Sequence, residues 1–310
     1  MKPTHHIELF ANGLSKLAGR LRGDEVLYSG IRPYGYHAGN RIAVAVYPHL
    51  LARLVAARGI NPRFVYTITI NDIEPLDYDE VEFKVLDSTF QFGSDVDADK
   101  FEKTIYQDLE GLRIEFPEVK VRFHRTSAMT ETEAFMTIFR AVTVDKHFLL
   151  NDFLNHYYAD QVNRSAEFAG FICRNCHLPC RAEDGPAQVA YVCPKCHCKG
   201  EAGNIGENYW MFRVPLIAMK LAVVQPNVVF LGSDYLTRRS ERLNNNTDLD
   251  AILRLHARLN MAGEINFALP PILLGNDGRK MSKSLGNLRK YEYDELLLLC
   301  AGNNNESVHA

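Results

Sequence analysis

Apolar and polar residues alternate along this chain in two rhythms, and the rhythms predict an α/β order. Residues 7 to 22 read as a short amphipathic helix. Glu25-Val26-Leu27-Tyr28-Ser29 is a compact apolar run that reads as a buried strand ending in Gly30. A loop with Pro33, Gly35 and Gly39 follows. Ile42 to Ala56 carries a mostly helical pattern, which Pro48 should kink or whose true start it should mark. Gly59 is placed to stop that helix. Arg63 to Ile70 is β-branched and aromatic, the composition of a second strand. Strand, loop, helix and strand in this order make a βαβ unit, and handedness then favours a parallel sheet.

The rhythm fades over residues 75 to 126, which are polar and irregular with one or two possible helices. Thr130 to Arg140 and Asp145 to Asn163 read as helices. After a cysteine-rich stretch the pattern resumes with a helix at Met211 to Leu221, a strand at Asn227 to Gly232, a helix at Asp248 to Asn260 and a strand-like run at Phe267 to Leu274. The expected fold is a Rossmann-type parallel sheet split by an insertion. Residues 1–92 form its first half and 205–275 its second. Residues 93–204 form a connective insertion with a zinc ribbon at 170–200, and 276–310 a mobile loop and tail. The run Asn303 to Ser307 reads as disordered.

Composition narrows the class of protein. The chain has 310 residues, 46% hydrophobic and 24% charged, enough for a sizeable core. Its net charge of −3 supplies no global field toward nucleic acid, so any such contact rests on local patches. No stretch is long and apolar enough to span a membrane, and Met1 to His6 lack the apolar core of a signal peptide. A cytoplasmic protein is the default expectation.

Six of the seven cysteines lie between residues 173 and 198. Cys173-x-x-Cys176 and Cys193-x-x-Cys196 have the spacing of two zinc knuckles, and four thiolates would close a tetrahedral structural Zn²⁺ site. Cys180, Cys198, His177 and His197 could replace a ligand or support one. The alternative is a set of free thiols. Arg174, Arg181, Lys195 and Lys199 nearby suit phosphate contacts or ordinary solvated charge.

Arg279 to Asn287 holds two lysines three apart among small polar residues, closed by Gly286. Such a cationic loop suits a polyphosphate on which charge builds up, or else is a plain solvated loop. Gly30 to Asn40 is its candidate partner, placed between a strand and a helix where α/β sheets bind ligands. Gly35 and Gly39 let backbone approach phosphates, the helix start offers free N–H groups, and His37 can donate to phosphate oxygens. Taken alone, the same stretch fits a glycine-rich turn with a structural histidine.

Together the two segments resemble the signatures of class I aminoacyl-tRNA synthetases. Lys280-Met281-Ser282-Lys283-Ser284 matches the second signature, and His37-Ala38-Gly39-Asn40 resembles the first. The similarity is closest to class I lysyl-tRNA synthetases, whose lead-in resembles Ser29-Gly30-Ile31-Arg32-Pro33-Tyr34-Gly35. This chain has one residue fewer between Gly35 and His37. Gly232-Ser233-Asp234 resembles the family's Gly-x-Asp-His, with Tyr235 where the family has histidine. Trp210 to Pro215 resembles a pocket segment but lacks an Asp-Trp pair.

The resemblance implies roles for particular residues. His37, Asn40, Lys280 and Lys283 would be catalytic. Gly35, Gly39, Gly232, Asp234, Met281 and Ser282 would bind ATP. Ser29, Gly30, Asp72, Trp210 and Arg213 would bind an amino acid, with lysine or a related one the first candidate. Mg²⁺ would accompany ATP. The reaction would be attack of the amino-acid carboxylate on the α-phosphorus, giving an aminoacyl-adenylate. The chain ends at Ala310, soon after the lysine loop, so an anticodon-reading domain is not expected. The acceptor could be a tRNA acceptor stem, a tRNA base, or a non-tRNA group on a small molecule or carrier protein. The alternative is an impaired synthetase paralogue acting as a tRNA-binding or regulatory module. A small nucleotidyltransferase fits less well, because it shares neither the lysine motif nor the zinc ribbon.

Overall fold

The computed structural model describes residues 4–31, 38–71, 95–135, 137–138, 169–172, 179–182, 190–192, 197, 199–201, 209–211, 213–232, 264–270, 273–275, 278 and 291–302, with isolated positions between 249 and 259. Six parallel strands form the main sheet: β1 (Thr4–Leu9), β2 (Val26–Ile31), β3 (Val65–Ile70), β4 (Lys120–Arg125), β10 (Val228–Phe230) and β11 (Glu264–Leu269). Their spatial order is β1-β11-β10-β2-β3-β4. The chain therefore moves outward from β2 through β3 and β4, then returns to β2's other side for β10 and β11. That is the doubly wound order of a Rossmann-type sheet, with the N-terminal strand added at one edge.

Both faces of the sheet are buried, as a parallel sheet between helices requires. Alternate residues divide between them. Leu27, Ile31, Tyr66, Ile68, Ile70, Val228 and Phe230 pack under α1 (Phe10–Ala18), the helical run that starts at Ala38, α4 (Asp95–Asp108) and α8 (Tyr293–Gly302). Tyr28, Val229, Leu231, Ile265, Phe267 and Leu269 pack under α7 (Arg213–Val224).

The run from Ala38 to Ala56 is helical throughout but changes gauge. α2 (Ala38–Arg41) passes into a π-helical turn (Ile42–Val46) and then α3 (Tyr47–Ala56). Pro48 stands in the first turn of α3, so it marks a start as expected. It has no N–H for the Val44 carbonyl four residues back. The Tyr66 hydroxyl donates to that carbonyl instead, at 2.7 Å. Past α3, Gly59 turns the chain with φ 78°.

Several expected elements are corrected. Residues 7–9 belong to β1, and the first helix spans only Phe10–Ala18. The polar stretch before 126 holds α4, α5 (Glu110–Glu115) and also β4, so the first half of the sheet extends beyond residue 92. The helix expected over Thr130 to Arg140 is present at residues 133–135 and 137–138, after a separate α6 (Thr126–Thr130). The helix expected from Met211 starts at Arg213, because Tyr209–Met211 is strand β9. The strand expected over Phe267–Leu274 starts at Glu264 and stops at Leu269, before two prolines that cannot donate to a ladder. Helix α8 has no counterpart in the sequence reading. The Asp145 to Asn163 helix and the tail at 303–307 lie outside the described residues.

A second, antiparallel sheet has the order β8-β7-β6-β5-β9, built from β5 (Ala169–Ile172), β6 (Pro179–Ala182), β7 (Ala190–Val192), β8 (Lys199–Glu201) and β9. Cys173 and Cys176 fall in the connection between β5 and β6, and Cys193 and Cys196 in that between β7 and β8.

Candidate active site

The strand order reverses between β2 and β10, and the carboxyl ends of these two strands frame the place where such sheets take ligands. Asn227 pins the start of β10 to β2. Its backbone N–H donates to the Val26 carbonyl at 2.8 Å, and its side-chain oxygen accepts from the Val26 N–H at 2.9 Å. Further along, the buried Ser29 hydroxyl donates to the Phe230 carbonyl at 3.2 Å, across 201 residues of sequence. Ser29 thus faces Phe230 near the end of β2, which closes at Ile31, and Leu231 and Gly232 follow β10.

On one side of Ser29 stands Tyr66. Burial pushes its phenol pKa well up, and the neighbouring Ser29 hydroxyl opposes that shift. On the other face, the Tyr28 and Thr69 hydroxyls lie 2.8 Å apart, and burial likewise raises the Tyr28 pKa. Asn71 ends β3, its N–H donating to the Ile31 carbonyl at 2.7 Å. The buried Lys220 ammonium of α7 donates to the Asn71 side chain at 3.5 Å. Thr126 closes the β3 end by donating to the Ile70 carbonyl at 3.1 Å.

Gly39 and Asn40 sit in α2, part-exposed at the start of the helical run. Arg41 follows. Its guanidinium grips the Asp108 carboxylate through two bonds, at 2.8 and 2.7 Å, and donates to the Tyr291 carbonyl at 2.6 Å. The helix start is thereby tied to α4 and to the segment that leads into α8.

Of the residues singled out by sequence, the fold places Ser29 and Gly30 near the end of β2 and Gly232 just after the neighbouring β10, with Gly39 and Asn40 in the helix after β2. Trp210 pairs with Gly170 in the antiparallel sheet, and Arg213 opens α7. Gly35, His37, Asp72, Asp234, Lys280, Met281, Ser282, Lys283, Cys173, Cys176, Cys193 and Cys196 lie outside the described residues. Among the described residues no group of three metal-ligating side chains occurs. None of their helices is long and apolar enough to cross a membrane.

Tyr28, Thr69, Asn71 and Lys220 are the polar residues that sequence reading passed over. The signals were there. Thr67, Thr69 and Asn71 repeat at the strand period of two, and Lys220 interrupts the apolar run of α7.

A separate cleft of about 470 Å³ opens among α3, α5 and α8. In it the buried His49 touches Glu115 through Nε2 at 2.8 Å and the Tyr293 hydroxyl through Nδ1 at 3.0 Å. Burial lowers the His49 pKa, and the Glu115 contact only partly opposes it. The Glu115 carboxylate accepts from Nε2, and the Tyr293 hydroxyl also lies 3.4 Å from the Ala45 carbonyl. The bond from Arg53 holds the Glu115 carboxyl below the usual carboxylate value.

No protein-family model matches the chain. No curated protein matches it in sequence. Among solved structures, the tryptophanyl-tRNA synthetase of Campylobacter jejuni overlaps with a TM-score of 0.34 at 14% identity, over 93% of this chain and 69% of that one. AlbC, a cyclodipeptide synthase from Streptomyces noursei, overlaps with a TM-score of 0.30 at 15% identity, over 79% of this chain and 95% of that one. A cyclo(L-leucyl-L-phenylalanyl) synthase reaches 0.22 at 17% identity, over 49% of this chain and 62% of that one. Overlaps this loose say nothing about substrate or chemistry in this chain.

Proposed function

We propose that this protein activates an amino acid with ATP, forming an aminoacyl-adenylate and releasing pyrophosphate. The supporting observation is the pairing of Ser29 on β2 with Phe230 on β10, two residues before Gly232, where the strand order reverses. Residues assigned to the amino acid and to ATP from distant parts of the sequence thus lie toward the carboxyl ends of neighbouring strands. In this reading the substrate carboxylate is the nucleophile, so the protein supplies alignment and charge neutralisation rather than a base. His37 and Asn40 would face the phosphates from the start of the helical run, and Lys280 and Lys283 from the lysine loop. Asp234 would hold the ribose, and Asp72 the substrate amino group. Mg²⁺ would enter with ATP.

Zn²⁺ held by Cys173, Cys176, Cys193 and Cys196 would brace the antiparallel sheet. The fit is supported by the position of both cysteine pairs in the connections of two β-hairpins. The aminoacyl group would pass to a tRNA acceptor stem or to a non-tRNA acceptor.

Pyrophosphate exchange over an amino-acid panel tests the reaction. Exchange with one amino acid, sharply reduced in Lys283→Ala, is the expected outcome. No exchange with any amino acid, with or without RNA, would leave the binding-module reading in its place. Metal analysis of Cys193→Ser tests the zinc site, where retention of a full equivalent would rule out that cysteine as a ligand.

A further inference from the structure

Arg41 follows Asn40 at the start of the helical run, and its side chain reaches the chain just beyond the lysine segment. Nη1 donates to the Tyr291 carbonyl at 2.6 Å, eight residues after Lys283. Nε and Nη2 donate to the two Asp108 oxygens at 2.8 and 2.7 Å. The Arg41 and Asp108 side chains are 19% and 14% exposed, so the contact is sheltered from water. A two-pronged carboxylate fixes the plane of a guanidinium, and Asp108 thereby aims Nη1 at one point. The group held there is a main-chain oxygen. The contact therefore fixes the path of the chain, whatever side chain stands at 291.

The helical run holds the following residues as well. The Tyr293 hydroxyl lies 3.4 Å from the Ala45 carbonyl and 3.0 Å from His49 Nδ1. Positions 41, 45 and 49 are spaced four apart, the interval that lines residues up along one side of a helix. Tyr291 and Tyr293 also pack against the core on that face of the sheet, and so does Leu273, which precedes the lysine segment. Lys280 and Lys283 thus belong to a stretch with packed chain before and after it. Fixing where such a stretch begins and ends lowers the cost of bringing its charges to a bound ligand.

We infer that Arg41 is a positioning residue: oriented by Asp108, it ties the chain after the lysine segment to the helix start and so sets where Lys283 reaches the phosphates. The inference rests on the proposed activation reaction and deepens it. Arg41 would touch neither substrate and would act only through Lys283. Its effect therefore belongs to the step in which charge develops on the phosphates, not to amino-acid binding.

The test is pyrophosphate exchange with the amino acid that the wild type activates. The variants are Arg41→Lys, Asp108→Asn, Lys283→Ala, each of the first two combined with Lys283→Ala, and Arg58→Lys, with urea unfolding to confirm that each is folded in the assay. Arg58 is the structural control, because its guanidinium holds the Ala18 and Leu21 carbonyls past the other end of the helical run. Arg41→Lys should lower kcat by roughly 10- to 100-fold, with KM for the amino acid within about twofold. Asp108→Asn should give part of that loss, and it carries the comparison if Arg41→Lys does not fold. In the Lys283→Ala background either substitution should cost less than about threefold, because the group being positioned is gone. Arg58→Lys should leave kcat within about twofold. The full loss in both backgrounds, a wild-type kcat in Arg41→Lys and Asp108→Asn, or an equal loss in Arg58→Lys overturns this inference and leaves the adenylation reading standing. No wild-type exchange with any amino acid overturns both.

Discussion

Replacing Tyr66 with phenylalanine isolates how the fold accommodates Pro48 beside the candidate site. Tyr66 is wholly buried and Val44 nearly so. The Val44 carbonyl has no N–H to accept at position 48, and the Tyr66 hydroxyl donates to it at 2.7 Å. Tyr66→Phe keeps the ring in the core and removes its hydroxyl, which also neighbours Ser29. The buried carbonyl then loses a partner, which costs about 1–3 kcal/mol. Urea unfolding followed by circular dichroism should show this loss as a lower midpoint with an unchanged slope. Pro48→Ala supplies the control, because it restores an N–H at position 48. In that background Tyr66→Phe should cost less than in the wild type, giving a coupling of roughly 1 kcal/mol in the double-mutant cycle. A Tyr66→Phe protein as stable as the wild type, or a cycle with no coupling, would refute the reasoning.

Three further outcomes follow from described geometry. The lowered His49 pKa means the folded state binds a proton less readily than the unfolded chain, so stability falls as pH drops below about 6.5, the ordinary histidine value; His49→Gln should flatten that slope in acid-unfolding series, and an unchanged slope would assign it to other groups. Arg41→Lys keeps the charge but loses the two-pronged grip on Asp108, and should destabilise the protein by about 1 kcal/mol in urea titration. Gly59→Ala should cost about 1 kcal/mol through its φ of 78° alone, since no atom lies within 4 Å of an added Cβ; no measurable loss in thermal unfolding would show that the turn relaxes freely.

What the sequence revealed and what it hid divide along a physical line. β2 and β3 were legible because both faces of a central parallel strand are covered, so apolar residues run together. The two strands of the main sheet that escaped notice, β1 and β4, are its edges. β4 reads Lys-Val-Arg-Phe-His-Arg and alternates between exposed and part-buried residues. Charge on such a strand discourages pairing with another chain, and the same charge conceals the strand from a search for apolar runs. α8 went unseen for a related reason. Its four consecutive leucines give no clear helical stripe, and only Leu296 among them is fully buried.

The candidate site follows the same division. Glycines and lysines in short motifs announce themselves by residue type, and Ser29 and Gly30 lie on the strand beside β10, which Gly232 follows. Tyr28 and Thr69 do not announce themselves, because one residue of each type on a strand is ordinary core or ladder material. They gain meaning only from register, which sets Thr69 opposite Gly30 and brings the Tyr28 hydroxyl within 2.8 Å of Thr69 Oγ1. A glycine at the end of a central strand is thus informative in a way its own identity is not. It marks where backbone is left bare, while the Tyr28 and Thr69 hydroxyls beside it are wholly buried and satisfy each other.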